Sequence, residues 1–545
     1  MFLSSTKSTK KGKVYVSWLV RESYRTAEGP RSRTVCNLTG LPDSIRELVA
    51  EALKGKSFVE SGKVKIDSAL DFGGLAVLKD AWDRFDLDRI LGEIDSRSRG
   101  LLQAMIFSRI LFPCAKQDLF HQAQGTLLAQ ACGLPAEEVF QEDALYAAMD
   151  QLNGQWVGIE KGLFKQAFPK SVTIALYDLT SVYFEGKGPD SLARYGYSRD
   201  HRGDRHQMVL SVVTDREGVP LHVEVLRCNR ADNKTLQGIL TTLRRRFGIE
   251  EATFAFDGGM SSKINLQAME ETGLEYVTRL SSSSLQSLLK ELPKENQIEL
   301  GDRTKLMEIE HEGKRYVLAG GDWRRQRDLE RRETRIKKAK EALEKLAKAQ
   351  RKNVDPQKLA SQTGRLLERL KAHRYFIYKV NDQGILEWSL KDQEVEKEAQ
   401  IDGWYLLHTN LPIEKADSTT VFKHYRNLLD VEEAFCQIKS YMEVRPVYHY
   451  RDDRVRNHVR ICFIAYWLSA RIGREWSLQE EKAEVPRILR ELQTIRVGFL
   501  KVNKTTLPPQ ITQIPEHLEK LIEKLKIHKL FSSPPSWISP VGRKL

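Results

Sequence analysis

The 545-residue sequence has no run of 18 or more apolar residues, so we expect no membrane-spanning helix. Its six cysteines are scattered at positions 36, 114, 132, 228, 436 and 462, and no pair has the C-x-x-C spacing. This pattern argues against a disulfide framework or a cysteine-based zinc cluster and favours free thiols in a reducing compartment. The N-terminus, a short Met1–Ser5 segment followed by Thr and Lys, lacks an apolar signal core, which favours a cytoplasmic protein.

An acidic excess is also absent. The chain has 87 Lys and Arg residues against 74 Asp and Glu, a net charge of +13 and a pI of about 9.2. Such a balance makes a polyanionic partner plausible, nucleic acid first. The length predicts about two to four structural units, and the 41% hydrophobic content is enough for buried cores.

Changes in pattern along the chain predict six regions. Residues 1–72 form a β-hairpin and a helix, and residues 73–168 form a helical region that either binds DNA ends or acts as a scaffold. Residues 169–281 and 403–472 form one α/β core, interrupted by an insertion at 282–402. Residues 473–545 are predicted to be helical and are a candidate for dimerisation.

The core has a recognisable strand order. A strand at 172–177 ends in Asp178, a hairpin follows at 207–226, and after a helix the strand at 252–256 ends in Asp257. Three strands with short connections, then alternating helix and strand, predict a mixed sheet with helices, as in the ribonuclease H fold.

The insertion contains short strands followed by two charged helices, at 324–352 and 357–372, which we interpret as a helical hairpin. Its rows of Arg and Lys could bind phosphates. Because Asp and Glu are interspersed, a solvated charged face is the favoured interpretation.

Three carboxylates are predicted to converge at one sheet edge. Asp178 and Asp257 follow adjacent strands, and a helix over 418–442, capped within 418–420, would bring Glu432 towards them. Either aspartate alone is more typical of a turn or cap, whereas the combination indicates a metal site. Three carboxylates repel one another, and two Mg²⁺ ions would relieve this repulsion and suit phosphodiester chemistry. The competing acids nearby are Asp204, Asp232, Asp430 and Glu433.

Three segments together resemble the signatures of bacterial insertion-sequence DDE transposases, in the long-chain branch of the "insertion sequence four" type with a ribonuclease H-like core. They are Tyr177–Ser181, Phe256–Met260 and the helix with Tyr425, Glu432 and Lys439 at seven-residue spacing. Segments 195–202 and 443–449 are similar to that branch. The resemblance covers about residues 170–280 and 400–470 well and the N-terminal third only loosely.

The resemblance implies that Asp178, Asp257 and Glu432 are the catalytic, metal-binding triad, with two Mg²⁺ ions or Mn²⁺ as a substitute. The signature Y-x2-R-x3-E-x6-K selects Glu432 over Glu433 and includes Tyr425 and Lys439 as DNA-binding residues. Lys439 is expected to contact phosphate or else to pair with a nearby acid.

The chain departs from this signature at the arginine, where it has Leu428. Arg426, two residues earlier, is a further DNA-binding candidate, expected to point to another part of the helix. Arg199 and Arg202 are candidates for contacts with the DNA backbone. Trp404 is expected either to stack on an extruded base or to belong to the core.

These features predict an insertion-sequence transposase that binds terminal inverted repeats and target DNA, assembles as a synaptic homodimer, and cleaves and joins DNA strands in the bacterial cytoplasm near the nucleoid. A catalytically silent relative that only binds DNA is the alternative. A glycosidase with paired carboxylates would explain neither the basic charge nor Lys439.

Overall fold

The structure is a computed structural model that describes residues 1–10, 12–27, 29–56, 58, 63–136, 138–169, 172, 174–228, 232–249, 252–288, 297–300, 304–348, 355–428, 436, 438–439, 442–477, 484–502 and 505–539. Its strands, in chain order, are β1 Phe2–Lys10, β2 Lys13–Thr26, β3 Gly29–Asn37, β4 Val64–Asp71, β5 Ile174–Tyr183, β6 Gln207–Thr214, β7 Pro220–Arg227, β8 Thr253–Phe256, β9 Glu275–Arg279, β10 Gln297–Glu299, β11 Lys305–His311, β12 Lys314–Gly320, β13 Phe376–Val380, β14 Leu386–Leu390, β15 Trp404–Thr409, β16 Arg496–Val502, β17 Thr505–Thr506 and β18 Gln510–Ile511.

The α-helices are α1 Asp43–Leu53, α2 Gly73–Arg84, α3 Leu87–Ile90, α4 Ser96–Leu111, α5 Leu119–Ala123, α6 Leu128–Ala131, α7 Glu142–Asp150, α8 Leu152–Ala167, α9 Asp232–Phe247, α10 Lys263–Glu271, α11 Ser282–Leu288, α12 Asp322–Lys348, α13 Pro356–Arg369, α14 Asp392–Ala399, α15 Ser418–Arg426, α16 Asp452–Trp476, α17 Val485–Leu492 and α18 Glu516–Lys524. Among the described helices, none is long and apolar enough to cross a membrane.

The chain divides into two compact units. The smaller comprises residues 1–70, 496–512 and 533–545. In it β2 pairs with β3 as the predicted hairpin, and β1 adds a third antiparallel strand. β4 pairs with β16, which also pairs with β17 and β18. These last three strands lie in the part of the chain that the sequence predicted to be helical.

The larger unit, residues 71–495 and 513–532, contains a nine-stranded sheet in the order β10-β11-β12-β15-β9-β8-β5-β6-β7. β5, β6 and β7 form an antiparallel meander, and β8 and β9 continue from β5 in parallel. This is the mixed, ribonuclease H-like arrangement that the sequence predicted. All four residues of β8 are buried, as expected for a central strand that is covered on both faces.

Other parts of the larger unit extend or support this sheet. β10, β11 and β12 of the insertion join it through β15. α12 and α13 instead share a separate buried cluster that includes Ala339, Leu343, Leu359 and Leu367. In the helical region at 73–168, α4 and α7 pack against α16. The helical region therefore packs against the helix that follows the core, and whether it also binds DNA ends stays a prediction.

Candidate active site

Asp178, within β5, and Asp257, directly after β8, occupy adjacent positions on neighbouring strands. In the parallel pair of β5 and β8, Tyr177 is opposite Phe256. The residues that follow these two are Asp178 and Asp257, so the two aspartates are neighbours. The prediction that the first strand ends at Asp178 is wrong, because β5 continues to Tyr183. It does so because its antiparallel partner β6 still pairs with it there, whereas the parallel partner β8 has ended.

The Asp257 carboxylate is held by the turn that follows it. Its Oδ1 accepts a hydrogen bond from the backbone N–H of Gly258 at 2.8 Å and caps the 3₁₀ turn Gly258–Met260. A Cβ atom at position 258 would lie only 2.6 Å from the carbonyl oxygen of Arg279. The Asp-Gly sequence is therefore required by the close approach of β9.

The Asp178 carboxylate is largely buried, with 14% of its side chain exposed. Burial raises its pKa to about 6 from the ordinary 3.8, and the negative charge of Asp257 acts in the same direction. The Arg199 guanidinium opposes this shift, with its Nη1 atom 3.3 Å from Asp178 Oδ2. A buried carboxylate beside a second one favours a nearby cation.

Arg199 belongs to a loop that also contacts Lys439 and Arg445. Its backbone N–H donates to the Ser181 hydroxyl at 2.8 Å, which ties the loop to β5. The next residue, Asp200, lies 3.3 Å from Lys439 Nζ and 3.4 Å from Arg445 Nη1. Burial lowers the pKa of Lys439. The ion pair, one of the two expectations for Lys439, is what the structure shows.

α15 carries further side chains to the carboxylates. Its N-cap is Asp417, whose side chain accepts from Thr420 N at 2.8 Å, so the cap predicted within 418–420 is wrong by one residue. Val421 and Phe422 are buried against the sheet, and Tyr425 packs beside them. Burial raises the pKa of Tyr425 to about 12, and Asp257 contributes to this shift. The phenol therefore remains protonated.

A cavity of about 610 Å³ opens above Asp178 and Asp257. Tyr425, Leu428 and Arg426 all line it, so the expectation that Arg426 points elsewhere is wrong. Five arginines also line this cavity. They are Arg199, Arg279, Arg324, Arg327 and Arg426. This excess of fixed positive charge suits a polyanionic ligand.

The two tryptophans near the site differ in exposure. Trp404 begins β15 and is half-buried among the residues of a hydrophobic cluster, and a Cβ atom at Gly320 would lie 2.7 Å from its ring. Trp323 is 58% exposed and lines the cavity, with the Arg327 guanidinium 4.9 Å from its ring centroid. Sequence reasoning missed Trp323, although an isolated tryptophan at the start of a highly charged helix is a usable signal.

Of the remaining candidates, the structure describes Arg202 but not Glu432. Arg202 pairs with Asp204 at 2.9 Å and covers the ring of Tyr183, and it does not line the cavity. Glu432 and its competitor Glu433 lie outside the described residues. Among residues that are described, no group of three or more His, Cys, Asp or Glu side chains is placed to hold a metal ion.

Two family matches agree with this geometry. Residues 171–468 match the family described as "Transposase DDE domain", and residues 3–62 match "IS1634 family transposase, N-terminal domain". No curated protein matches the chain. A solved structure of "piggyBac transposase synaptic complex with hairpin DNA" is similar at 8% identity, covering 73% of this chain and 70% of that one, with a TM-score of 0.36. A score this low adds nothing to the fold assignment, which depends on the strand order.

Proposed function

The chain belongs to the DDE transposase family and is a bacterial insertion-sequence transposase, and we propose that it binds terminal inverted repeats and catalyses metal-dependent DNA cleavage and strand transfer in the cavity above Asp178 and Asp257. The observation that carries this proposal is the register of β5 and β8, which brings the two carboxylates together in a cavity that five arginines line. Because both aspartates are present, the catalytically silent alternative is not favoured.

The carboxylate pair fits a divalent metal site. Asp178 and Asp257 offer hard oxygen ligands, which Mg²⁺ prefers, and a bound dication would relieve the cost of burying Asp178 as an anion. We propose Glu432 as the third ligand, two Mg²⁺ ions as the cofactor and Mn²⁺ as a substitute. When bound, these ions would activate water or a 3′-hydroxyl and stabilise the leaving oxygen.

The chain's own residues would bind and orient the DNA. Arg279 and Arg324 lie over the Tyr405 ring at 5.4 and 4.5 Å, which holds both guanidiniums at the cavity wall. Tyr425, protonated at neutral pH and hydrogen-bonded by Arg279, can donate to a phosphate oxygen. If a metal ion were bound at Asp178, the Arg199 guanidinium could leave this carboxylate and contact the DNA backbone instead.

Trp323 offers the exposed aromatic face on which a base would stack. Target DNA would enter the same cavity. We further propose that two copies of the chain form a synaptic homodimer on two transposon ends, in the bacterial cytoplasm near the nucleoid.

A cleavage assay tests this function. The substrate is labelled duplex DNA from the flanks of the reading frame, which should contain the inverted repeats. We expect strand cleavage with Mg²⁺ and none with a chelator. We expect Glu432→Gln to abolish cleavage and the neighbouring Glu433→Gln to retain it. Cleavage by Glu432→Gln would overturn the assignment of the third acid, and metal-independent cleavage would overturn the mechanism.

A further inference from the structure

A second cavity, of about 270 Å³, adjoins the active-site cavity along α12. The two cavities share three lining residues, Arg279, Arg324 and Arg327. The second cavity continues past Arg331 and Arg335. We refer to these five arginines and the space they line as the arginine groove. A polyanion bound in the active-site cavity can therefore extend along these arginines into the groove, which also contains Asp328, Glu398 and Asp402.

The arginines of α12 that line the groove form one stripe. Arg324, Arg327, Arg331 and Arg335 follow one another at intervals of three, four and four residues, the spacing of a single helix face. Eleven residues of helix span about 16 Å. Since each nucleotide of a DNA strand advances about 3.4 Å, the stripe matches about five nucleotides.

Two of the three acidic side chains of the groove are already paired with cations outside the stripe. Asp402 accepts from Arg332 at 2.6 Å in a buried ion pair, and Glu398 lies 3.1 Å from Arg374. Asp328 accepts a hydrogen bond from the backbone N–H of Gly403 at 3.2 Å. Arg332 is thus a structural residue, although it lies within the same basic run.

The stripe arginines, by contrast, keep their charge available. Within residues 304–348 and 355–428, no carboxylate forms an ion pair with Arg324, Arg327, Arg331 or Arg335. The buried Nε of Arg327 has no hydrogen-bond partner there. Burial, together with the charge of Arg279, lowers the pKa of Arg324. Cations crowded in this way favour an anionic ligand.

We propose that the arginine groove binds the phosphodiester backbone of the DNA that leaves the active-site cavity. This inference depends on the proposed function, because it takes DNA as the ligand of that cavity. It assigns phosphate binding to one face of α12. From the sequence alone, the interspersed acids favoured a solvated surface for this helix over phosphate binding. A regular stripe about 16 Å long fits a chain of phosphates better than a single small anion.

Two paired variants test the groove. Arg331→Gln/Arg335→Gln removes two charges from the stripe. Lys337→Gln/Lys338→Gln removes two charges from exposed positions of the same helix outside the groove. None of the four side chains is buried, so both variants should fold, and circular dichroism and thermal unfolding check this. Arg331→Lys/Arg335→Lys keeps the charge and serves as a rescue variant.

The measurement is fluorescence anisotropy with a labelled DNA duplex from the flanks of the reading frame, repeated over a range of salt concentrations. For the stripe variant we expect weaker DNA binding. We also expect the slope of log K against log salt concentration to be shallower by about 0.9 for each phosphate that the variant no longer neutralises. The lysine control should keep the wild-type slope, and the rescue variant should recover most of it. Equal slopes for the stripe variant and wild type, or equal losses of affinity in the stripe and control variants, would overturn the proposal.

The same variants separate this proposal from the proposed function. If only the groove is misassigned, the stripe variant keeps its salt slope while wild-type cleavage still depends on metal. If the proposed function is wrong, the wild-type protein fails to cleave whatever the salt slopes show.

Discussion

The Arg199 guanidinium lies 3.3 Å from the Asp178 carboxylate, so a cation from the chain itself occupies one side of the proposed metal site. Asp257 directly follows the neighbouring strand β8, and its negative charge also acts on Asp178. Even with Arg199 present, burial keeps the pKa of Asp178 at about 6. The protein without metal therefore holds a buried carboxylate at a cost in stability.

That cost predicts a pH-dependent gain from Asp178→Asn. The pKa of Asp178 rises from 3.8 to about 6 on folding, so the folded state binds more protons in this range and stability falls as pH rises through it. Above pH 6 we expect Asp178→Asn to be more stable than wild type by about 1–3 kcal/mol. Below pH 4 the difference should disappear.

Chemical denaturation in a chelating buffer measures this difference. Asp190→Asn, at a fully exposed position, is the matched control and should show no such pH dependence. A destabilised Asp178→Asn protein at high pH would contradict the explanation.

Divalent metal should stabilise the fold through the same two side chains. A ligand that binds only the folded state at about 100 times its Kd adds about 2.7 kcal/mol. We expect Mg²⁺ or Mn²⁺ to raise the melting temperature of wild type and to leave the Asp178→Asn/Asp257→Asn variant unchanged. An equal rise in both proteins would place the binding elsewhere.

The Lys439–Asp200 pair is expected to stabilise the structure, since 8% and 9% of the two side chains are exposed. Among the described residues, Lys439→Met leaves Asp200 with Arg445 as its ion-pair partner and should cost about 3 kcal/mol. Lys439→Met/Asp200→Asn should recover most of this loss. Thermal unfolding of Lys439→Met, Asp200→Asn and the double variant measures the coupling energy between the two side chains. If the double variant recovers its stability but binds DNA more weakly than wild type, Lys439 also contacts phosphate.

Trp323 and Trp404 should respond differently to replacement by alanine. Because Trp323 is 58% exposed, Trp323→Ala should leave stability unchanged and weaken DNA binding by about 1–3 kcal/mol if one base stacks on it. Trp404→Ala should cost about 3 kcal/mol of folding stability, because its ring packs against Gly320 and the neighbouring cluster. Unfolding and DNA-binding curves for both variants separate the two roles, and the reverse result would assign base stacking to Trp404.

The sequence predicted the adjacency of Asp178 and Asp257 because strand pattern and connection length restrict the topology to few choices. It could not predict where β5 ends, because its last residues are held by β6, a partner distant in sequence. It missed Trp323 and the orientation of Arg426, because both depend on how α12 and α15 pack beside the sheet. The sequence shows the basic residues of the stripe on α12. It does not show whether their charges are free to bind a ligand, because that depends on which acids are already paired.

Leu428, which stands where the signature has an arginine, lies at the active-site cavity. Leu428 lines the cavity, so the position does face the site, and Arg426, Arg279 and Arg324 line the same space. An arginine is therefore missing from one position of the signature, while guanidinium groups reach the cavity from other elements.

Cleavage by Asp257→Asn is the most direct test of the central claim. An asparagine Oδ1 can still accept the hydrogen bond from Gly258 N, so the turn should be preserved while one anionic metal ligand is lost. With labelled DNA from the flanks of the reading frame and Mg²⁺, we expect no cleavage and unchanged DNA binding. Cleavage at the wild-type rate would contradict the account.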